Sequence, residues 1–453
     1  NSVFGRVIYS YADRYLFQPN VRHDGSSRFA KGYRWGTFPS FSAGWVASEE
    51  KFMKNLKWDW LSFLKLRGSW GMLGNERIGS NYFPYIALMS FGNSLFYMAD
   101  GSVVSDKTAR PAVLAVEDIT WETTTSTDLG LDVNFLNNRL QFHFDYYWKE
   151  TKDMLLNIEI PYFMGYNNPS TNAGKMSTHG YDIEVAWNDQ IGDFKYDINV
   201  NFSDFLSKID YMNDGEQISG GKIKRAGVLF NEFYGYVCEG IYQTQEEVNN
   251  SARTSTTVTV GDLKYRDISG PDGVPDGVIS PEYDRVPLGN SLPRFQYGGS
   301  LNASYKGIDF SLAFQGIGKQ NSYLSTSMVQ PLRDNYGNVP AILEGKYWSP
   351  FNTTEENLAA KYPRLSNVSK SNNYATSSFW MFNGSYFRLK NITLGYTLPK
   401  SWTQKAGINR ARFYVSGSDL FCLSNFPSGW DPEVGTSDYP ITTSLVMGIQ
   451  VNF

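Results

Sequence analysis

The densest set of potential ligands in this sequence lies between Gly261 and Gly289, in the stretch GDLKYRDISGPDGVPDGVISPEYDRVPLG. A hard cation such as calcium needs about six to eight oxygen ligands, and acidic residues spaced around glycine turns can supply them from one compact loop. Asp267 and Ser269 take the first positions, Asp272 and Asp276 precede Gly273 and Gly277, Ile279 holds the apolar position, and Asp284 closes the set. The spacing departs from the EF-hand pattern, because residues 270–275 insert a second turn and Ser269 is a weak ligand. The alternative is an acidic Gly/Pro-rich turn that orders itself through side-chain hydrogen bonds to its own backbone. Acid–base chemistry would fall to three histidines: His23 in RHDGSS, His143 beside Asp145 by alternation, and His179 at the start of a strand. No Gly-x-Ser-x-Gly elbow and no zinc-spaced His/Cys cluster accompanies them, so catalysis is not expected. Cys238 and Cys422 read as free thiols or one long-range pair, not as a disulfide framework.

These residues hang on strands. From Thr443 to the end, Leu445, Met447, Ile449, Val451 and Phe453 alternate with Ser444, Gly448, Gln450 and Asn452. Period two means one apolar and one polar face, and about 9 to 11 such residues cross a bilayer as a tilted strand. The pattern recurs. Leu129 to Phe135 and Leu140 to Trp148 flank an Asn137-Asn138 hairpin turn, and Tyr181 to Trp187 and Phe194 to Phe202 flank residues 188–193. Their polar faces carry Asp128, Asp132, His143, Asp145, Lys195 and Asp197, which suits a water-filled lumen with lipid outside. A soluble sandwich would instead bury the apolar face.

Composition points the same way. The 453 residues are 16% aromatic and 19% charged, with 41 glycines, and no apolar run is long enough for a spanning helix. The mean hydropathy of −0.38 argues against a helical membrane protein but not against a barrel, and the net charge of −4 argues against a nucleic-acid partner. Short turns are expected near residues 14–15, 137–138, 189–193, 306–307 and 399–409. Long connections are expected at 74–123, 157–174, 209–292, 321–382 and 423–442. That asymmetry is typical of bacterial barrels, with the long loops outside. Glu49 to Leu61 breaks it and reads as a short amphipathic helical turn on the periplasmic side. About 13 strands result, starting downward near Phe4 and ending downward at a periplasmic Phe453. Because a barrel must close on an even number, and Asn1 follows no Met or leader, the chain reads as a fragment whose upstream strands complete the wall.

Several stretches, among them YSYADRYLFQPNVRHDGSSRF, GYRWGTFPSFSAGWVASEEKFM, LSFLKLRGSWGMLGN and YFRLKNITLGYTLP, resemble the C-terminal barrel portion of SusC/RagA-type TonB-dependent transporters. The resemblance implies an all-β transmembrane antiparallel barrel of about 22 strands, of which residues 1–453 hold the C-terminal part without the plug domain and early strands. It implies energised import across the bacterial outer membrane. The partners it implies are the upstream part of the same transporter, a SusD-like surface lipoprotein, TonB with its inner-membrane motor, and outer-membrane lipid. The implied cargo is an oligosaccharide first and a peptide second, and a passive channel is the alternative. Sugar rings stack on aromatic faces, which makes loop residues Trp348, Trp380 and Trp430, with Tyr82, Tyr85, Tyr336 and Tyr374, candidates for cargo contact. The stronger alternative for each is a structural place, facing lipid, in an interfacial girdle or packed loop against loop.

Overall fold

Residues whose side chains alternate between two solvents need no second layer of protein to fold against. The computed structural model, which describes all residues except 57, 79–81, 214, 327–328, 334–338 and 436–437 and the side chains of residues 162 and 342, is built on that alternation. Two compact units are present: Asn1–Trp187 with Asp204–Gln217 and Arg225–Leu229, and Asn188–Ser203 with Ile218–Lys224 and Phe230–Phe453.

The first unit carries β1 (Ser2–Arg6), β2 (Tyr15–Gly25), β3 (Trp35–Val46), β4 (Leu61–Asn75), β5 (Glu122–Phe135), β6 (Leu140–Asn157) and most of β7 (Ser170–Ile191). Each is antiparallel to the next. β8 (Phe194–Met212) contributes residues 204–212 here and residues 194–203 to the second unit, which continues with β9 (Arg294–Tyr305), β10 (Ile308–Lys319), β11 (Tyr386–Thr397), β12 (Arg410–Ser424) and β13 (Ser444–Asn452). Among the described residues these 13 strands follow one hydrogen-bonded path in sequence order, with Tyr9–Tyr11 paired beside it onto β2.

The turns form where the residues tolerate them. Leu136, Asn137 and Asn138 all have positive φ (53, 57 and 64°), and asparagine carries that conformation at low cost. Lys306 and Gly307 do the same at φ 46 and 90°, matching the right-handed twist of the strands they join. The segment expected to form a helical turn between β3 and β4 holds a 3-10 turn, Ala47–Glu49, and a helix, Lys51–Leu56.

Register sorts the faces. Met447 lies opposite Val415, which lies opposite Leu394, and these three are 74, 41 and 56% exposed, so no protein layer covers the apolar side there. Phenylalanines form a row on that side of the second unit, with ring centroids 6.3 Å apart for Phe202 and Phe295, 5.6 Å for Phe314 and Phe387, and 6.3 Å for Phe387 and Phe421. Aromatic rings on an apolar face of this kind suit a lipid surround. On the polar side, rings lie across glycines of the neighbouring strand. A Cβ on Gly180 would sit 2.6 Å from the Tyr147 hydroxyl, and one on Gly448 would sit 2.5 Å from the Tyr414 ring.

The polar side of the first unit is ionic. Arg67 on β4 donates from Nη2 to Asp145 at 2.7 Å and from Nε to Asp132 at 3.1 Å, over a gap that Gly130 leaves open, where a Cβ would approach Cζ to 2.5 Å. Gly130→Ala therefore expels the guanidinium. The expected cost is about 1–3 kcal/mol of unfolding free energy, read by urea titration of the membrane-reconstituted full-length protein. Gly5→Ala, with open space around its Cβ, serves as the silent control.

Candidate functional site

Buried side chains gather not beneath the sheet but in the long connections. In the second unit, three apolar clusters form there, around Tyr236, Leu263, Tyr265 and Ile279, around Leu324, Val329, Trp380 and Phe426, and around Tyr242, Val248 and Val258. A polar knot holds the two longest connections together. Asp262, fully buried, accepts from Arg364 Nε at 2.7 Å, Ser369 Oγ at 2.8 Å, Asn373 Nδ2 at 2.9 Å and the Thr259 amide at 2.9 Å. Asn373 Oδ1 in turn accepts from the Leu263 amide, and Asn372 Nδ2 donates to the Leu263 carbonyl, each at 2.9 Å. A buried carboxylate with a guanidinium and three further donors is compensated, and removing it orphans all of them. Sequence reading passed over Asp262. Its one signal is the Asn372-Asn373 pair, whose side-chain amides need partners once buried.

The expected calcium ligands are placed differently from a coordination shell. Asp284 is fully buried; its Oδ1 accepts from the Ile268 and Ser269 amides at 2.7 and 3.2 Å, and its Oδ2 from the Ser280 amide at 2.7 Å. Asp267 Oδ2 accepts from the Gly277 amide at 2.7 Å, and Asp276 Oδ1 from the Val278 amide at 2.9 Å. Ser269 donates to the Gly270 carbonyl, and Asp272 is exposed. Among the described residues no three His, Cys, Asp or Glu side chains converge on a metal position. The carboxylates of Asp267, Asp276 and Asp284 accept from amides of the loop itself, while Asp267 Oδ1 is buried without a hydrogen-bond partner among the described residues.

The tryptophans sit in loop cores. Trp380 is fully buried and donates to the Asn373 carbonyl at 2.8 Å; Trp348, 8% exposed, lies against Gly261 and donates to Gln243 at 3.3 Å; Trp430 is half-buried against the Trp380 cluster. Trp380 and Trp348 therefore offer no open ring face to a sugar, because these loops need aromatic volume for their own packing. Tyr374 donates to the Pro331 carbonyl, and Tyr85 is half-buried. Tyr82 stays 57% exposed beneath the Arg28 guanidinium, and Tyr336 lies outside the described residues. His143 Nδ1 lies 3.0 Å from Asp132 Oδ1 on the neighbouring strand. His23 stacks on Trp35 at 4.8 Å, and His179 lies opposite Trp148.

The geometry best suited to a solute is instead a hollow of about 540 Å³ on the polar side of β8 to β10, lined by Asn199, Asn201, Ser203, Gln296, Ser300 and Gln315. The registers Asn199 to Ser300, Asn201 to Gly298 and Ser203 to Gln296 bring these residues to one face. Gln315 donates to the Tyr386 hydroxyl at 3.3 Å. All six are amides or hydroxyls, which donate and accept without charge.

Comparison with known proteins supplies the context. Residues 1–416 match the family described as TonB dependent receptor-like, beta-barrel. TonB-dependent receptor P3 of Formosa agariphila is 31% identical, over 100% of this chain and 45% of that protein. TonB-dependent receptor SusC of Bacteroides thetaiotaomicron is 30% identical, over 100% and 43%. The structure of the RagAB peptide transporter superposes with a TM-score of 0.75 at 23% identity, over 100% of this chain and 47% of that one, a likeness of fold. The chain thus spans a little under half the length of these relatives.

Two outcomes follow for the loops. Asp262→Ala leaves Arg364 and Asn373 unpaired and should raise hydrogen exchange across residues 259–265 and 364–373 by at least about a hundredfold, an opening cost near 3 kcal/mol. Burial also pushes the Cys238 thiol up to about 11, and the Tyr242 and Tyr374 phenols up to about 12. Their folded forms hold protons more tightly than the unfolded chain does. This part of the stability is complete below about pH 9 and drains away as pH climbs toward 12. Cys238 should resist thiol reagents at pH 8, and loop exchange should accelerate only above about pH 9.

Proposed function

The chain belongs to the TonB-dependent receptor β-barrel family, and from that premise we propose that it serves energised import of a neutral oligosaccharide across the bacterial outer membrane. A peptide ranks second as cargo. A SusD-like lipoprotein caps the loop side, TonB with its inner-membrane motor supplies the work, and the long connections face outward with Phe453 at the periplasmic end.

One observation carries the choice of cargo. The polar lining of the hollow beside Asn201 and Gln315 is made of amides and hydroxyls, set among Phe314, Ile317 and three glycines; those polar groups pair with sugar hydroxyls and carry no charge to meet a peptide's termini. The ion pairs around Arg67 lie in the other unit, where Asp132 and Asp145 are already engaged. No covalent step is needed for any of this. Passage requires a wetted wall with weak, exchangeable contacts and a source of energy.

The test uses the full-length transporter with its lipoprotein, titrated calorimetrically with malto-, fructo- and xylo-oligosaccharides and with mixed heptapeptides. Asn201→Leu, Gln296→Leu and Gln315→Leu should each weaken one of the glycans by about two- to tenfold, the worth of one hydrogen bond of about 0.5–1.5 kcal/mol. Binding of peptides alone, or glycan binding indifferent to all three substitutions, overturns the cargo assignment. Uptake that persists after the proton gradient is collapsed overturns the energised reading in favour of a passive channel.

A further inference from the structure

Two features of the second unit meet at one end of its strands. The first is a hollow of about 860 Å³ on the apolar side of β10 to β13, bounded by Ile308, Leu394, Phe413, Val415, Met447 and Ile449, all of them exposed. Ile308 lies opposite Tyr396, Tyr396 opposite Phe413, and Phe413 opposite Ile449, a row that runs along the strand ends nearest two turns. The turn at Lys306–Gly307 is tied to β11 by the Thr397 amide donating to the Gly307 carbonyl at 2.7 Å, and the turn before β12 is tied to β13 by the Asn409 amide donating to Asn452 at 2.8 Å.

The second feature is the charge of those turns. Residues 397–413 contain Lys400, Lys405, Arg410 and Arg412 and no acidic residue. Arg412 is engaged by Asp309. Lys306, Lys400, Lys405 and Arg410 are exposed and make no ion pair within 4 Å among the described residues, although Arg410 lies in the field of Asp309. Trp402, in the helical turn Lys400–Thr403, is 63% exposed, with an amphipathic ring of the kind that settles at a bilayer interface. An apolar slot beside exposed lysines and an exposed indole matches one kind of molecule, an acyl chain carrying an acidic headgroup.

We infer that this face holds one anionic glycerophospholipid of the periplasmic leaflet, with an acyl chain in the Ile308–Leu394–Met447 hollow and the phosphate among Lys306, Lys400, Lys405 and Arg410. The inference rests on the outer-membrane reading above. A zwitterionic lipid fills the hollow equally well but brings an ammonium to a cationic rim, so selectivity comes from the headgroup alone.

The experiment is native mass spectrometry of the full-length transporter, equilibrated in detergent with equal amounts of dioleoyl phosphatidylglycerol and dioleoyl phosphatidylethanolamine. The wild type should retain phosphatidylglycerol over phosphatidylethanolamine by at least about fivefold, the ratio one interfacial lysine supports. Combined Lys306→Gln, Lys400→Gln and Lys405→Gln, all in exposed turns, should bring that ratio near one while total bound lipid persists. Val415→Trp, which fills the hollow, should reduce both lipids together. Equal retention by the wild type, or a preference unchanged in the triple variant, overturns the site. Failure of the outer-membrane reading looks different, because then neither lipid is retained.

Discussion

Hydrocarbon offers a peptide group no hydrogen-bonding partner, so a chain that crosses it with strands must satisfy every amide and carbonyl on the neighbouring strand. The rest of this molecule follows from that demand. A ladder running in sequence order from Ser2 to Asn452 leaves side chains only two directions, and the two surroundings sort them. Leu394, Val415 and Met447 stand exposed on one side without instability, because lipid replaces the protein layer a soluble sheet would require. Polar groups on the other side pair among themselves, as Arg67 does with Asp132 and Asp145.

Because the sheet needs no core, the apolar residues that make one are free for the connections. There the problem is reversed. Loops have few regular ladders, so their buried backbone must find side-chain partners. Asp262, Asn372 and Asn373 provide them, with Arg364 balancing the charge, and the aromatic packing around Trp380 and Tyr265 closes over that polar knot. Without the knot, the apolar clusters would have volume but no register.

The strands were legible in the sequence because alternation is local: Leu140 to Trp148 declares its face within nine residues, and Asn137-Asn138 and Lys306-Gly307 declare the turns. The helical turn between β3 and β4 was legible for the same reason. What could not be read depends on distant partners. Asp262 meets Arg364 across 102 positions, and nothing near either residue distinguishes them from surface charges. Trp380 and an exposed tryptophan have the same composition signature, so the loop core and a sugar platform look alike until packing is known. His143 was read against Asp145 on its own strand, whereas its partner Asp132 comes from the adjacent strand through register. The acidic loop offered two readings at one spacing, and the amides that reach Asp284 come from positions 4 and 16 residues away, which spacing alone does not reveal.

The tyrosines laid over glycine have a consequence for size. Where Tyr414 spreads across Gly448 and Tyr147 across Gly180, each phenol lies along the wall instead of projecting from it, so the lining there is only about one ring's thickness deep. A single methyl at either glycine would force the ring, hydroxyl included, off the strand and into the space that the polar side faces.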